Sequence, residues 1–225
     1  RQLLITESGF DQSVWEKMSQ LGLMGILIGP EHGGVGGSLV EVEALMEHAG
    51  AYLYGGPFIS TCVIAPTILS ACSDESLAEE CLRAITEGSA IFSVAGCGSS
   101  GAWDLPPEVQ AVFVDQSWLL TGTADFVSYA AVANQCLVYA NVDGGKGVFL
   151  VDMNENGIAL TPHNTDDATI RLSSMSLDAV VARQVAGVGE EVMEEALQVA
   201  LVALAGEQVG AARRIFEITI EYLKT

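Results

Sequence analysis

The sequence predicts an α+β fold: an N-terminal helical domain, then a small antiparallel β-barrel or sandwich domain, then the start of a C-terminal helical bundle. Two observations predict this order. The spacing of apolar residues changes from helical to strand-like near residue 90 and becomes helical again near residue 189. No helix-length periodic segment separates the strand candidates, which argues against a parallel sheet with crossover helices. We therefore expect domains at residues 1–88, 89–187 and 188–225.

Helical periodicity covers the first of these domains. Ser38 and Glu41 have the spacing of a capping box and predict the start of a helix. Gly88, directly after a run with helical spacing, predicts the end of another helix. Pro66 predicts an irregularity inside the third helix. The helices expected here are 14–21, 38–49, 57–71 and 73–88.

Short apolar runs at intervals of roughly ten residues follow, and this spacing is typical of an antiparallel barrel or sandwich. Asp143, Gly144 and Gly145 form the clearest turn between two of the runs. The strands expected are 91–95, 109–114, 117–121, 135–142, 147–152, 158–160, 170–174 and 179–185.

A long helix begins after Gly189, with acidic residues in its first turns, where the helix dipole favours anions. A helix of this length needs partners, and few remain in the chain, so we expect its apolar face to be partly bare and the chain to associate or to be unstable alone. The residues expected on that face are Leu197, Leu201, Leu204, Ala211, Ile215, Ile218 and Tyr222.

Composition excludes several classes of partner. Lys and Arg total 9 against 29 Asp and Glu, a net charge of −20, so nucleic acid and anionic membrane surfaces are poor partners. No apolar stretch is long enough to span a membrane, and no signal peptide is visible. The five cysteines form no CxxC pair, which favours reduced, buried thiols in a cytoplasmic protein. Because the chain begins with Arg1, we expect a fragment of a longer protein.

Familiar site motifs fail on spacing. The glycine-rich loop at residues 30–37 is not a dinucleotide fingerprint, because Leu39 stands where the last glycine belongs. Ala102 likewise excludes a nucleophile elbow in the segment 96–101. The three histidines are scattered, which favours surface or satisfied core roles, and Asp166 with Asp167 is interpreted as a solvated loop pair. No close Cys and His pairs suggest a metal site.

The order of domains, together with a set of segments in matching order, resembles the acyl-CoA dehydrogenase family of flavoproteins. No single segment is decisive, but the resemblance covers nearly the whole chain. The segments that carry it are the helix at Trp15, the loop 30–36, and the stretches 92–101, 122–130, 147–151 and 205–210.

This resemblance implies FAD-dependent removal of two hydrogens from the α and β carbons of an acyl-CoA thioester. It also implies a homo- or hetero-oligomer with a subunit of the same type. Ser99 and Ser100 are expected near the acyl-CoA or the FAD pyrophosphate. For Phe92, Val94 and Val127, packing in the β-domain core is the alternative to flavin contact. The residues expected to bind FAD are Phe92, Val94, Ala95, Gly101, Phe126, Val127 and Ser128.

The departures from the family pattern leave the activity open. Ala95 and Gly96 stand where the family has threonine and glutamate, and Ala124 stands where it has lysine, so polar groups at the flavin are missing. No acidic residue matches the family's catalytic base, so no catalytic residue is assigned and FAD occupancy is doubtful. The chain is then either a catalytic flavoprotein whose base lies outside this sequence, or a degenerate partner subunit. The alternative from another functional class is a non-enzymatic interaction module that kept the fold and lost the cofactor. The sequence does not decide the length of the acyl chain, nor whether the substrate is a fatty acyl or a bulkier, steroid-like thioester.

Overall fold

The computed structural model describes Thr6 and residues 8–102 and 108–224. It confirms the predicted order of a helical region, a β-rich region and a long helix. The α-helices are α1 Gln12–Gln20, α2 Leu39–Ala51, α3 Ala65–Ser70, α4 Glu75–Thr86 and α5 Glu190–Leu223. The strands are β1 Phe92–Ala95, β2 Val109–Val114, β3 Ser117–Ser128, β4 Gln135–Val142, β5 Gly145–Asp152, β6 Ile158–Pro162 and β7 Leu172–Gln184.

Local capping fixes where the first helices begin and end, as the sequence predicted. Ser38 and Glu41 form the capping box of α2. The Ser38 hydroxyl accepts from backbone N–H groups of the first turn, and the Glu41 carboxylate accepts from the backbone N–H of Ser38. Asp74 caps α4 by accepting from the backbone N–H of Leu77, at 3.1 Å. Gly88 follows α4 with a positive φ of 68°, a conformation that suits glycine.

The predicted helix over 57–71 is not regular. Residues Ile59–Ile64 form a π-helix, and α3 begins only after it, with Pro66 in its first turn. Proline has no N–H and its ring clashes with the carbonyl four residues earlier, so the wider π turn accommodates it. The irregularity predicted at Pro66 is therefore confirmed as a change of helix type.

The strands form one sheet that closes on itself. Neighbouring strands pair in the order β4, β2, β3, β7, β5, and β5 pairs with β4 again, which makes a small barrel. β1 adds to β4 and β6 adds to β7 outside this ring. The predicted fold class is therefore confirmed, with the barrel rather than the sandwich as its form.

Pairing within the barrel is mostly, but not wholly, antiparallel. β1 runs parallel to β4, and β2 pairs with β4 in parallel at one position. The β2–β3 hairpin lies between β1 and β4 in sequence and returns the chain, so a parallel pair forms without a crossover helix. The lack of helical periodicity between the strands correctly predicted that no βαβ unit would form here. It did not exclude that two neighbouring strands run parallel.

Two predicted strands are one. Most of the runs 170–174 and 179–185 belongs to one strand, β7. The backbone of this strand is irregular at Ala179, which has a positive φ of 53°. β3 also continues beyond its predicted end, to Ser128, with irregular register at two places. Bulges of this kind bend a strand and increase its twist, which helps to close a barrel.

Three hydrophobic cores hold the elements together. One fills the barrel, one joins α3, α4 and the start of α5 to the sheet, and one joins α1, α2 and α5 around Trp15. All five cysteines are free and buried, which confirms the expectation drawn from their apolar surroundings.

The crossing of α2 on α5 is so close that glycine is required at the contact. A Cβ on Gly210 would overlap the carbonyl oxygen of Glu47, and one on Gly50 would overlap that of Glu207. A Cβ on Gly206 would lie 2.7 Å from the Glu43 oxygen. The side of α5 that faces the protein therefore consists mainly of small residues. Its buried residues are Ala196, Ala200, Ala203, Gly206 and Gly210, together with one large residue, Met193.

The large apolar residues of α5 lie on its outer side. Leu201 is 59% exposed, Ile215 65% and Tyr222 77%, so the apolar face predicted from periodicity is bare in this chain, as expected. It is not the face that packs against the rest of the chain. Across the described residues, no helix combines the length and apolar character that crossing a membrane requires.

Replacing Gly210 by alanine is expected to lower the free energy of unfolding by about 2 kcal/mol, because the added methyl forces two helices apart. In an unpacked helix the same change stabilises by about 0.5–1 kcal/mol, so the sign of the effect tests the contact. Urea denaturation of the full-length protein measures it. Gly145→Ala is the control, since a Cβ there meets nothing within 4 Å. A stabilised Gly210→Ala protein would contradict the close crossing.

Candidate functional site

A cavity of about 500 Å³ lies where the helical and β regions meet. Its walls come from α2, the segment after it, the end of β3, the loop before β7, and α5. Most of the lining is apolar, and examples are Met46, Phe58, Ile59, Leu172 and Leu204. A concave, largely apolar space with a few polar groups is the usual form of a small-molecule site.

A bulge in β3 aims Phe126 out of the sheet. The register with β7 shifts between Ala124 and Val127, and Phe126 has a positive φ of 57°. Its ring is 40% exposed and lines the cavity. A Cβ on Gly101 would lie 3.1 Å from that ring, so the turn after β1 approaches it closely. Strained backbone of this kind persists only where the surroundings fix it.

A polar network holds the strand next to this bulge. The Ser174 hydroxyl donates a short hydrogen bond to the carboxylate of Asp125. A ring nitrogen of His163, Nε2, lies 2.8 Å from the same hydroxyl and 3.6 Å from the Asp125 carboxylate. The imidazole also packs on Phe126, with ring centroids 5.2 Å apart. His163 is therefore a satisfied structural histidine that supports the Phe126 ring.

Ser128, two residues after Phe126, also lines the cavity. Its backbone carbonyl accepts a 2.7 Å hydrogen bond from the hydroxyl of Ser93, in the middle of β1. This bond joins β1 to β3, which are not paired in the sheet. The end of β3 that lines the cavity is thus fixed to the buried strand β1.

Two tyrosines lie at the cavity with different hydroxyl environments. Tyr129 donates a 2.7 Å hydrogen bond to the carbonyl of Thr169, and burial raises its pKa to about 12. The hydroxyl of Tyr54 is buried and has no hydrogen-bond partner among the described residues. Burial also raises the pKa of Tyr54, so both hydroxyls stay protonated at neutral pH.

Two carboxyl groups also line the cavity. Asp167 is exposed and accepts from the backbone N–H and hydroxyl of Thr169, and the hydroxyl bond chiefly lowers its pKa. Glu207, on α5, is half-buried, and this burial, with a smaller contribution from Asp167, raises its pKa. The sequence placed Asp166 and Asp167 in a solvated loop, and both are exposed.

Comparison with known proteins shows which proteins the chain is similar to. Residues 3–89 match the family described as Acyl-CoA dehydrogenase, N-terminal domain. The whole chain is 29% identical to the acyl-CoA dehydrogenase FadE27 of Mycobacterium tuberculosis, and it covers 59% of that protein. Residues 3–89 thus match a domain of the acyl-CoA dehydrogenases, and the whole chain is similar to one of them. The chain spans about three fifths of the length of this relative.

Solved structures of acyl-CoA dehydrogenases share the fold over the whole chain. A variant of the Tcur3481-Tcur3483 steroid ACAD superposes with a TM-score of 0.88 at 29% identity. The ChsE4-ChsE5 complex of Mycobacterium tuberculosis superposes with a TM-score of 0.89 at 28% identity. The present chain covers 60% and 61% of those chains, respectively.

The residues predicted to bind FAD, from the resemblance to acyl-CoA dehydrogenases, lie in two kinds of environment. Phe126 and Ser128 line the cavity, and Gly101 lies against the Phe126 ring. In contrast, Phe92, Val94, Ala95 and Val127 are buried in the hydrophobic cores, with side chains at most 6% exposed. Contact between these four side chains and a flavin stays a prediction.

Ser99 and Ser100 lie in the turn after β1, and both donors of Ser99 are already engaged. The backbone N–H and hydroxyl of Ser99 donate to one oxygen of Glu108, at 3.1 and 2.7 Å. The Thr123 hydroxyl lies 3.4 Å from the other oxygen. The hydroxyl of Ser99 is the main cause of a lowered pKa for Glu108, which is therefore ionised. A carboxylate thus takes the donors that a phosphate would need.

These residues fit FAD only in part. Phe126 and Ser128 offer a ring and a hydroxyl where the family binds its flavin, by resemblance. The anionic Glu108 at the Ser99 turn and the apolar Ala95 and Ala124 disfavour the charged and polar parts of the cofactor. The described residues therefore offer a flavin ring more than they offer its phosphates.

The sequence motifs rejected as sites have structural roles. In the glycine-rich loop, the N–H groups of Val35, Gly36 and Gly37 donate to the carbonyls of residues 25, 28 and 26. The loop folds back on the preceding segment and offers no phosphate cradle there. His48 bonds its own helix through the Ala44 carbonyl. No group of His, Cys, Asp and Glu suited to a metal ion occurs among the described residues.

Sequence reasoning assigned no role to Glu207 or Tyr54. Glu207 was noted only as part of a family segment, although it shares a helix face with Leu204 and Ala211 by its spacing. An acidic residue inside an apolar stripe was the signal that pointed to it. Tyr54 gave no signal, since its environment depends on contacts distant in sequence.

The two cavity tyrosines give a matched test of this geometry. Tyr54→Phe is expected to keep the free energy of unfolding or raise it by up to about 1 kcal/mol, because an unpaired buried hydroxyl is removed. Tyr129→Phe is expected to lower it by about 1 kcal/mol, because the bond to Thr169 is lost. Urea denaturation of both variants measures the difference. Equal losses in the two variants would contradict the hydroxyl environments described.

Proposed function

We propose that this chain is a subunit of an acyl-CoA dehydrogenase-type flavoprotein and acts as the partner of a flavin-bearing subunit. The observation that carries the proposal is the Glu108 carboxylate on the donors of the Ser99 turn, beside an intact cavity. The assembly removes two hydrogens from the α and β carbons of an acyl-CoA thioester. FAD, when bound, supplies the hydride acceptor for this reaction.

The residues of this chain contribute binding rather than proton transfer to that assembly. The apolar lining of the cavity favours an acyl group over water, since burying apolar surface is favourable. Phe126 and Ser128 present a ring and a hydroxyl at its β side. No catalytic base is assigned within the chain, and the proposal places it on another part of the assembly.

Relatives support both the partner role and the class of substrate. The two similar structures are named for pairs of gene products, ChsE4-ChsE5 and Tcur3481-Tcur3483, and the second is called a steroid ACAD. We extend the paired subunits and the steroid-like substrate to this chain: it forms a hetero-oligomer with a second subunit, and the assembly acts on a bulky, steroid-like acyl-CoA thioester. The bare apolar side of α5, with Leu201 and Ile215, gives the oligomer a surface.

The proposal keeps the division into an N-terminal helical domain, a β domain and the first helix of a third domain. It also keeps a cytoplasmic location, since five buried free thiols suit a reducing compartment. The competing proposal is an interaction module without cofactor, which the missing polar groups at Ala95, Gly96 and Ala124 favour. Flavin absorption in the purified assembly, together with dehydrogenation of an acyl-CoA, separates the two.

The full-length protein expressed without a partner is expected to purify largely free of FAD. Glu108→Gln is expected to tighten FAD binding about tenfold, because it removes a negative charge and replaces the charge-assisted bonds to the Ser99 donors by weaker, neutral ones. Glu155→Gln, at an exposed position away from the turn, is the matched control and should leave affinity unchanged. Fluorescence titration of FAD measures all three proteins. Tightly held, stoichiometric FAD in the unmodified protein would exclude the partner role.

A further inference from the structure

The cavity contains an electrostatic asymmetry that the proposed function does not use. Its lining includes the carboxyl groups of Asp167 and Glu207, whereas none of the described lining residues is a lysine, an arginine or a histidine. The rest of the wall is mainly apolar or carries hydroxyl groups. Among the described lining residues, a bound acyl group therefore meets charge of one sign only, while the nearby guanidinium of Arg171 is held by the backbone carbonyls of Ala168 and Ile170.

The two carboxyl groups differ in what they can offer a ligand. Asp167 is held by Thr169, whose N–H and hydroxyl lie 2.8 and 2.6 Å from one of its oxygens. Glu207 has no hydrogen-bond donor on its carboxylate among the described residues, and its half-buried position limits its hydration. A ligand hydroxyl that donates to this partly buried carboxylate forms a charge-assisted hydrogen bond, so Glu207 is the group that a ligand can engage.

A second carboxylate brought into this space would be strongly disfavoured. Like charges repel more strongly in a partly desolvated cavity than in water, and the acyl group would lose its own hydration as well. Asp167 is near enough to contribute to the raised pKa of Glu207, so the two charges act on the same space. A neutral group that carries an O–H would instead donate to Glu207.

Resting on the proposed function, we propose that the cavity selects an uncharged acyl group that bears a hydroxyl, and that Glu207 is the residue that recognises this hydroxyl. Acyl groups that end in a carboxylate are excluded by Glu207 and Asp167 together. This assigns Glu207 to substrate specificity, and it names a chemical class of acyl group.

Three thioesters of equal chain length test the proposal: dodecanoyl-CoA, ω-hydroxydodecanoyl-CoA and dodecanedioyl-CoA. They differ only in a terminal methyl, hydroxyl or carboxylate, and a chain of this size fits a cavity of about 500 Å³. Their affinities for the full-length protein, in complex with any partner subunit, are measured by calorimetry. We expect the hydroxy thioester to bind about tenfold more tightly than dodecanoyl-CoA, because it gains a hydrogen bond to a charged group.

Dodecanedioyl-CoA is expected to bind at least about tenfold more weakly than the hydroxy thioester. Glu207→Gln keeps the size of the side chain and removes the charge, so it should raise the affinity for dodecanedioyl-CoA about tenfold. Glu195→Gln, an exposed position on the same helix, is the matched control and should change neither affinity.

The outcomes separate this proposal from the function on which it rests. Equal affinities for the three thioesters would overturn the role of Glu207 and leave the acyl-CoA function standing. Binding of none of them, nor of a steroid-like acyl-CoA thioester, would overturn both. A Glu207→Gln protein that retains all three affinities but loses turnover would overturn the specificity role and point to proton transfer.

Discussion

The close contact between the backbones of α2 and α5 is the constraint on which the rest of the structure depends. Gly50 on one helix and Gly206 and Gly210 on the other leave no room for side chains at the crossing. Because α5 must present its small residues inward, its leucines and isoleucines lie outward. The same contact places Glu207 at the junction of the helical and β regions. Both the cavity and the bare apolar face therefore follow from one set of glycines.

Local signals in the sequence predicted most of the fold, because they act over a few residues. Ser38 with Glu41, Asp74, and Gly88 determine helix ends through bonds to their own turns, and β2 and β4 have the bounds that their apolar runs predicted. Strand direction could not be predicted in this way, because the parallel β1–β4 pair depends on the hairpin between them. The inward face of α5 was also missed, since close packing depends on residue size and periodicity measures only hydrophobicity.

The candidate site shows the same division. Phe126 and Ser128 could be predicted from a resemblance between segments, and both line the cavity. Glu108 and Tyr54 could not, because their environments arise from partners distant in sequence, whereas the position of Glu207 in an apolar stripe was a signal that had not been used. The Asp125, Ser174 and His163 network likewise joins three separate segments. Chemistry that depends on long-range contacts is visible only once the strands are placed.

The closed ring of β4, β2, β3, β7 and β5 also limits how this chain can join others. A sheet recruits further chains through unpaired backbone groups at its edges, and closure removes those edges. Among the described strands, edges remain at β1, which is buried along its length, at β6, which is short and ends in Pro162, and at the end of β2, which pairs with β4 at one position only. Closure therefore leaves few backbone groups to which a further strand could add. Contacts with other chains then fall mainly to side chains, among them the exposed apolar residues on the outer side of α5.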